Sequence, residues 1–404
     1  MGQSAAGADF TRSAILACIG SLGPTSRAGL ARYLGVSPAL ITQKTKQLLA
    51  DGLLVELEHT PSVGGRPAQL LGLAADAGGA IGVKLVADHV TLVEVGIGGA
   101  ILRSQTEPFD AATPTAIPAL VDVVRQFVDA ATSQRLLGVG VGVPGDVDEQ
   151  GVGTVDSTQL GWHRVQLGQA LRSALELPVL VDNNVNAMAI AEHLYGQARG
   201  QDHALVVTIG TGVGGGIIAD GAVYRGSSGG AGEIGHIPAV VDGPLCQCGA
   251  RGCLEALVGQ EALVAEGQRR GVIGRDAGID GLRAQADRGD QRAQEVFSAA
   301  GHLLGRALAG LVNALDPEVI IISGEGVDAW RHWSFGFEPA LRSGVVPRKR
   351  GIPVAVEAWH DDRWAQGAAS LILATPFDSQ GVSGDQGERV RARLSAVRRG
   401  KESR

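Results

Sequence analysis

The stretch from Gly232 to Gly259, GEIGHIPAVVDGPLCQCGARGCLEALVG, constrains this chain more than any other. His236, Cys246, Cys248 and Cys253 follow one another as H-x9-C-x-C-x4-C, and three of the chain's four cysteines lie here. Soft thiolates and an imidazole at such short, glycine-broken spacing can converge on one tetrahedral ion, and the set suits Zn2+. Four protein ligands leave no open coordination position, so the expected role is structural. Three cysteines cannot pair completely as disulfides, and free buried thiols are the alternative reading. Cys18, on the apolar face of the first helical piece, reads as a core residue.

At 404 residues, the chain is long enough for two or three domains. Apolar residues make up 45% and charged residues 19%, the balance of a globular protein. No run of eighteen or more uncharged apolar residues and no basic, apolar leader is present, so a cytoplasmic location without membrane contact is expected. The net charge of −7 argues against nucleic acid for the chain as a whole. It is unevenly spread. Residues 1–70 hold six cations against four acids, which fits a small DNA-facing module on an acidic body.

That N-terminal part shows three short helical pieces. TRSAILACIGSL puts Ile15, Leu16 and Ile19 on one face, SRAGLARYLG starts at a capping Ser26, and SPALITQKTKQLLADG starts at Ser37 with Pro38 in the first turn. LLVELEHTPSVGGRPAQLLGL then reads as two extended segments around a Pro/Gly tip. Helix, turn, helix and a β-wing make a winged helix-turn-helix over 1–74. Ser37, Ala39, Thr42 and Gln43 are placed to reach major-groove edges, with Lys44 and Lys46 available to phosphate. Arg66 in GGRP can enter a narrow minor groove or pack against the following domain. A single such module reads few base pairs, so a two-fold oligomer on palindromic operator DNA is expected.

From Ala80 the period shortens to that of strands. AIGVKLV, VTLVEVG and AILRSQT form an antiparallel meander, and LLGVGVGVPG has the unbroken apolar character of a buried parallel strand. A second round begins at HALVVTIG, turns through TGVGGG and ends in EVIIISG. Two α/β rounds predict two lobes: residues 78–184, with a returning helix near 360–376, and residues 185–359. Residues 377–404, polar and rich in arginine, read as a mobile basic tail. The glycine-rich turn can cradle an anion on its main-chain N–H groups or serve only as a sharp bend, and it lacks the Gly-Lys-Ser/Thr of a Walker loop.

Taken in order, the helix-turn-helix with GGRP, then GVGVPG, LGW, VDNNVNAMAIAE, GTGVGGG and GEIGH…CQCGARGCLE resemble the ROK family of repressors and sugar kinases, from about residue 10 to 375. The resemblance implies an actin-like, hexokinase-type α/β domain of two lobes, a zinc knuckle beside a sugar pocket, and dimers or tetramers. Asn183, Asn184, Glu233, His236 and Glu255 match the family's sugar contacts, and Gln159 stands where the family commonly has asparagine. Three departures concern phosphoryl transfer. Asn184 occupies the place of the family's proton-accepting aspartate, and an amide has no basic lone pair at neutral pH. Lys84-Leu85-Val86-Ala87-Asp88 replaces a glycine-containing phosphate loop, and Ser323 and Glu325 stand where the family has a glycine-rich nucleotide segment. The expectation is a sugar-responsive regulator that has lost kinase activity. It would be a repressor of carbohydrate uptake or catabolism genes, with a free or phosphorylated sugar as effector. The alternative is an ATP-dependent sugar kinase with a DNA-binding appendage.

Overall fold

The computed structural model describes residues 11–12, 14–16, 18–20, 23–57, 69–75, 77–149, 151–377 and 384–395. It divides into two compact units, one built from the chain up to Gly200 together with the chain from Asp361 onward, the other from Gln201–His360.

The first unit opens with the expected local pieces. Residues 14–16 and 18–20 are helical. β1 (Thr25–Ser26) leads into α1 (Arg27–Leu34), whose N-terminus is capped by the Ser26 hydroxyl accepting from Gly29 N at 3.1 Å. Gly35, at φ 63°, supplies the left-handed residue that stops α1. Ser37 caps α2 (Pro38–Ala50), and β2 (Leu54–Leu57) pairs antiparallel with β3 (Leu70–Leu73), to which β1 adds. Leu30, Ile41, Leu48, Leu54 and Leu71 are buried between these elements.

Next comes a five-stranded sheet of order β11-β7-β4-β5-β6, made from β4 (Gly79–Leu85), β5 (His89–Gly96), β6 (Ile101–Pro108), β7 (Leu136–Val143) and β11 (Val179–Asn183). The meander β4-β5-β6 is antiparallel, while β7 and β11 join in parallel, as their apolar runs require. The helix α3 (Ala116–Asp129) lies between β6 and β7 in sequence. The small strands β8 (Asp146–Val147), β9 (Val155–Ser157) and β10 (Trp162–Val165) and the helix α4 (Leu167–Leu175) precede β11, and α5 (Asn184–Tyr195) follows it.

Glu94 on β5 is fully buried and answered almost entirely by hydrogen bonds. Its carboxylate accepts from Thr132 N at 2.9 Å, Thr132 Oγ1 at 3.0 Å and Ser133 N at 2.6 Å, with Arg103 Nε 3.6 Å away. Burial pushes the carboxyl up, but the hydrogen bonds from Ser133 and Thr132 outweigh it and hold it below the usual carboxylate range. A depressed folded value gives stability that is present above the ordinary carboxyl pKa and is lost as pH falls through the folded one. Glu94→Gln puts an NH2 group against N–H donors. It is expected to cost about 2 kcal/mol at neutral pH, with a shallower loss of stability on acidification than in the parent. Urea titrations at pH 7 and pH 4 check both; equal slopes with pH would contradict the assignment.

The second unit carries a sheet of order β14-β13-β12-β15-β16. Its strands are β12 (Ala204–Ile209), β13 (Val213–Ala219), β14 (Ala222–Val223), β15 (Val319–Ser323) and β16 (Val354–Val356). β12 and β13 form a hairpin across the glycine-rich turn, and β15 and β16 add in parallel. The helices α6 (Glu255–Val258), α7 (Gln260–Arg269), α8 (Ile279–Asp287), α9 (Gln291–Leu315) and α10 (Trp330–Gly344) complete the unit, with Phe297, Leu304, Trp333 and Phe337 at its apolar centre.

The chain then returns to the first unit as α11 (Asp361–Ala374), which covers β4 and β7, and ends its described part in α12 (Gly384–Ser395). The stretch read as a mobile tail therefore contains a docked helix. Val390 and Leu394, four residues apart, are buried in the same apolar cluster as Ile15, Leu71 and Ile372. Arg393 Nε donates to Leu136 O at 2.9 Å, and Arg135 donates to Leu394 O at 2.8 Å. A two-residue apolar stripe is enough to seat a short helix, and the surrounding arginines hid it in composition. Among the described residues no helix is long and apolar enough to cross a membrane.

Candidate metal and effector sites

In the second unit, a single 3-10 turn, Ile234–His236, and the loop up to α6 gather the cysteine-rich residues. Cys246 N donates to Ala250 O at 2.8 Å and Gly249 N to Cys246 O at 2.9 Å, closing a tight turn. Gly252, at φ 76°, runs so close to Val240 that a Cβ would lie 1.9 Å from its carbonyl oxygen. The ligand atoms of His236, Cys246, Cys248 and Cys253 all lie within 4.8 Å of one another. Cys248 and Cys253 Sγ are 3.7 Å apart, and Cys246 Sγ is 3.5 Å from His236 Nδ1. An ion bonded tetrahedrally to sulfur at its usual length sets neighbouring sulfurs about 3.8 Å apart, so the residues fit a four-coordinate metal. Without an ion the thiols conflict. Burial, then hydrogen bonds with Cys248 and Cys246, push Cys253 up to about 11, whereas the backbone N–H of Ala250 draws Cys248 down.

The same turn sets out the acidic groups. With Nδ1 toward the cysteines, His236 keeps Nε2 at 3.6 Å from Glu233 Oε2. Glu255, two residues after Cys253, accepts from Val213 N at 2.9 Å, and its carboxylate lies against Gly212 and Gly235. The second unit thus places Glu233 beside His236, itself one of the metal-ligand candidates, and Glu255 against Gly235 next to it.

In the first unit, Asn183 ends β11 and caps α5. Its Oδ1 accepts from Val185 N at 2.7 Å and its Nδ2 donates to Gly145 O at 2.9 Å, so both ends of the amide are already engaged in holding the turn. Asn184 opens α5, half-buried, above Gly142. Gln159 is exposed on the turn between β9 and β10. Asp182, which the sequence reading passed over, is buried and accepts from Asn183 N at 2.8 Å and Asn186 Nδ2 at 3.1 Å. The only hint was a carboxylate four residues before an asparagine at a strand-to-helix junction.

Lys84 lies on β4, 95% buried, ion-paired with Asp361 at the start of α11, and its ammonium sits 5.7 Å from the Trp364 ring centre. Asp361 also approaches His89 Nε2 at 3.7 Å. The residues after Lys84 make the short turn into β5 with no glycine in it.

At the N-terminal end, Ser37, Ala39, Thr42, Gln43 and Lys46 are exposed on one side of α2, and Lys44 is half-exposed. Ser37 Oγ accepts from Leu40 N at 3.3 Å and Thr42 Oγ1 donates to Pro38 O at 2.8 Å, while Lys44 reaches Gln47 at 3.4 Å. Arg66 lies outside the described residues.

Known proteins resemble the chain over different lengths. The N-acetylglucosamine repressor of Escherichia coli O6:H1 is 28% identical over 370 residues, covering 89% of this chain and 91% of the repressor. The crystal structure of a ROK family transcriptional regulator, a homologue of the E. coli MLC protein, superposes with a TM-score of 0.78 at 25% identity, over 96% of this chain and 98% of that one. A ROK family glucokinase from Streptomyces griseus, solved with glucose and AMPPNP, superposes with a TM-score of 0.63 at 29% identity, over 73% of this chain and 99% of the kinase. The ROK family model matches residues 80–375, and with the mixed α/β sheets and the His/Cys cluster it shows that the chain belongs to the ROK family.

Proposed function

We propose that this protein is a sugar-responsive, DNA-binding transcriptional repressor whose ROK domain binds a sugar without phosphorylating it. The observation that carries this reading is the extent of the similarity. A transcriptional regulator matches 96% of the chain, including the N-terminal helices and hairpin, whereas the whole of a glucokinase accounts for 73%.

The α2 face of Ser37, Ala39, Thr42 and Gln43 reads the major groove, Lys44 neutralises phosphate, and Arg66 enters the minor groove of a palindromic operator bound by a homodimer or homotetramer. Gln159, Asn183, Asn184, Glu233, His236 and Glu255 contact the sugar, and the metal cluster holds Zn2+ that orients His236 and Glu255. The protein works in the cytoplasm on genes of carbohydrate uptake or catabolism. Loss of phosphotransfer is supported by Asn184, an amide that can hold a hydroxyl but not take its proton. It is supported too by Lys84, whose ammonium is committed to Asp361 in place of a phosphate loop.

Release from DNA requires only that sugar bind the DNA-free state more tightly than the DNA-bound one. The test is fluorescence anisotropy on an operator selected from genomic fragments, titrated with mono- and disaccharides and their phosphates. One sugar is expected to weaken DNA binding by about tenfold or more, a coupling of about 1.4 kcal/mol. Glu233→Ala should retain DNA affinity and lose the response. Phosphorylation of a hexose from ATP above trace rate, abolished by Glu233→Ala, would overturn the reading in favour of a kinase.

A further inference from the structure

The helix α5 starts at Asn184, a proposed sugar contact, and its 12 residues span about 18 Å of the first unit. Its far end reaches the DNA-binding module. Ala187 belongs to the apolar cluster of Ile15, Ile19, Ile41 and Leu48, and Ile190 and Tyr195 pack against that cluster. The turn after α5 is bonded back onto the helix. The Glu192 carboxylate, buried, accepts from Gln197 N at 2.9 Å, and the Glu192 backbone oxygen accepts from Gly196 N at 3.0 Å and Ala198 N at 3.2 Å. Helix and turn therefore form one stiff piece.

Arg199 closes that turn, its N–H donating to Gly196 O at 3.2 Å, and sends its guanidinium onto the N-terminal helical piece. Arg199 Nη2 donates to Gly20 O at 3.3 Å, and a Cβ on Gly23 would lie 3.0 Å from the same nitrogen. Gly23, at φ 90°, returns its N–H to Ile19 O at 3.0 Å, the mark of a helix C-terminus. A cation placed there meets a carbonyl that the helix leaves unbonded and the negative end of its dipole. The other end of the same helical piece is tied to α2: Arg12 Nη1 donates to Asp51 Oδ2 at 2.6 Å, and Asp51 is the C-cap of α2. One line of contacts thus runs from Asn184 along α5 to Arg199, through the N-terminal helical piece, to the helix that carries Ser37, Ala39, Thr42 and Gln43.

We infer that Arg199 is a positioning residue through which the sugar end of α5 acts on the DNA-reading helix. The inference rests on the regulator reading and names its route. Coupling between distant sites travels through rigid elements joined by hydrogen bonds and ion pairs. A sugar held at Asn184 fixes one end of α5, the bonded turn shifts with the other end, and Arg199 passes the shift to Gly20. The Arg12 pair then hands it to Asp51. Apolar packing between α5 and the module is non-directional and lets the surfaces slide, whereas a guanidinium bonded at a helix end loses its bond when they do.

The test compares the full-length parent with Arg199→Gln and Arg199→Lys, by operator anisotropy and by sugar calorimetry. The probes are D-glucose, D-xylose, N-acetyl-D-glucosamine and maltose, each at about 10 mM. For a sugar that weakens operator binding by the parent about tenfold, Arg199→Gln is expected to respond by about threefold or less, with sugar affinity within about twofold of the parent. Arg199→Lys, which keeps a cation at the helix end, should retain a response of about fivefold or more. A merely structural role would lower stability and leave the ratio of DNA affinities with and without sugar unchanged. Hydrogen exchange on the parent needs no variant and decides the matter if Arg199→Gln fails to fold: the sugar should change exchange in peptides covering residues 11–20 by about threefold or more. A parent that responds while Arg199→Gln responds equally, or exchange over 11–20 indifferent to a sugar that releases DNA, would overturn this inference alone. A parent indifferent to every probe would overturn it together with the regulator reading.

Discussion

The Cys253→Ser chain is expected to purify with essentially no metal and to lose its response to sugar, while the parent holds about one ion per chain. Cys253 is 99% buried, bridges backbone to Pro238, and is followed by Leu254, whose N–H donates to Ile237 O at 2.9 Å. The loop between His236 and Cys253 buries little of itself: Val241, Leu245 and Cys248 are exposed, and of residues 237–252 only Cys246 and Gly252 are buried. An ion held by the four ligands would be what orders it. A serine hydroxyl does not ionise as a thiolate does, and three ligands bind far less tightly than four. Disorder then reaches Glu255, two residues on, whose hold on Val213 N fixes it beside His236. Elemental analysis with calorimetric sugar titration checks this. A variant with full metal content, or one that loses metal and keeps parent sugar affinity, would refute the coupling.

Gly140→Ala is expected to destabilise the first unit by about 3 kcal/mol or more, enough to leave a marginal domain largely unfolded. A Cβ there would lie 1.8 Å from Ala368 O on α11, and one on Gly82 of the neighbouring strand would lie 1.9 Å from Ala365 O. Both obstacles are backbone, so no rotamer change relieves them and the helix must lift off the sheet. Gly142→Ala is the control on the same strand: its nearest neighbour, Asn184 Cα, is at 3.5 Å, an ordinary contact. Thermal unfolding of the three variants should rank Gly140→Ala and Gly82→Ala far below Gly142→Ala. Comparable midpoints would mean that α11 does not depend on the bare strands. DNA binding should fall with stability, because Ile41 and Leu48 of α2 share one apolar cluster with Ala365 and Ala369 of α11.

What could be read from the sequence was local. Ser26 and Ser37 announce helix starts by side-chain chemistry alone, the meander follows from its period, and the four metal-binding candidates lie so close in sequence that few conformations keep them apart. Groups distant in sequence were not legible. Lys84 looks like a damaged loop residue until Asp361, 277 positions later, is found paired with it. Glu94 is a lone charge in an apolar strand, and nothing near it in sequence names Thr132 and Ser133, whose hydrogen bonds let it enter the core. The helix α12 was missed because two apolar residues among arginines weigh little in composition, although they suffice once a complementary surface exists. Glu325 stands out in the sequence as a departure from the family's pattern; only the structure shows its carboxylate against Gly210.

The first unit is interrupted in sequence by the second, and this sets the order in which a newly made chain can become competent. When Gly200 has left the ribosome, all five strands of the first sheet exist, but the helix that covers their glycines has not been translated. The whole second unit, 201–360, must be made first, which at ordinary elongation rates takes roughly ten to thirty seconds. Until then the N-terminal helices lack part of the apolar cluster they share with α11. A message cut short before Asp361 therefore yields a product whose N-terminal helices lack the part of that cluster supplied by α11 and α12.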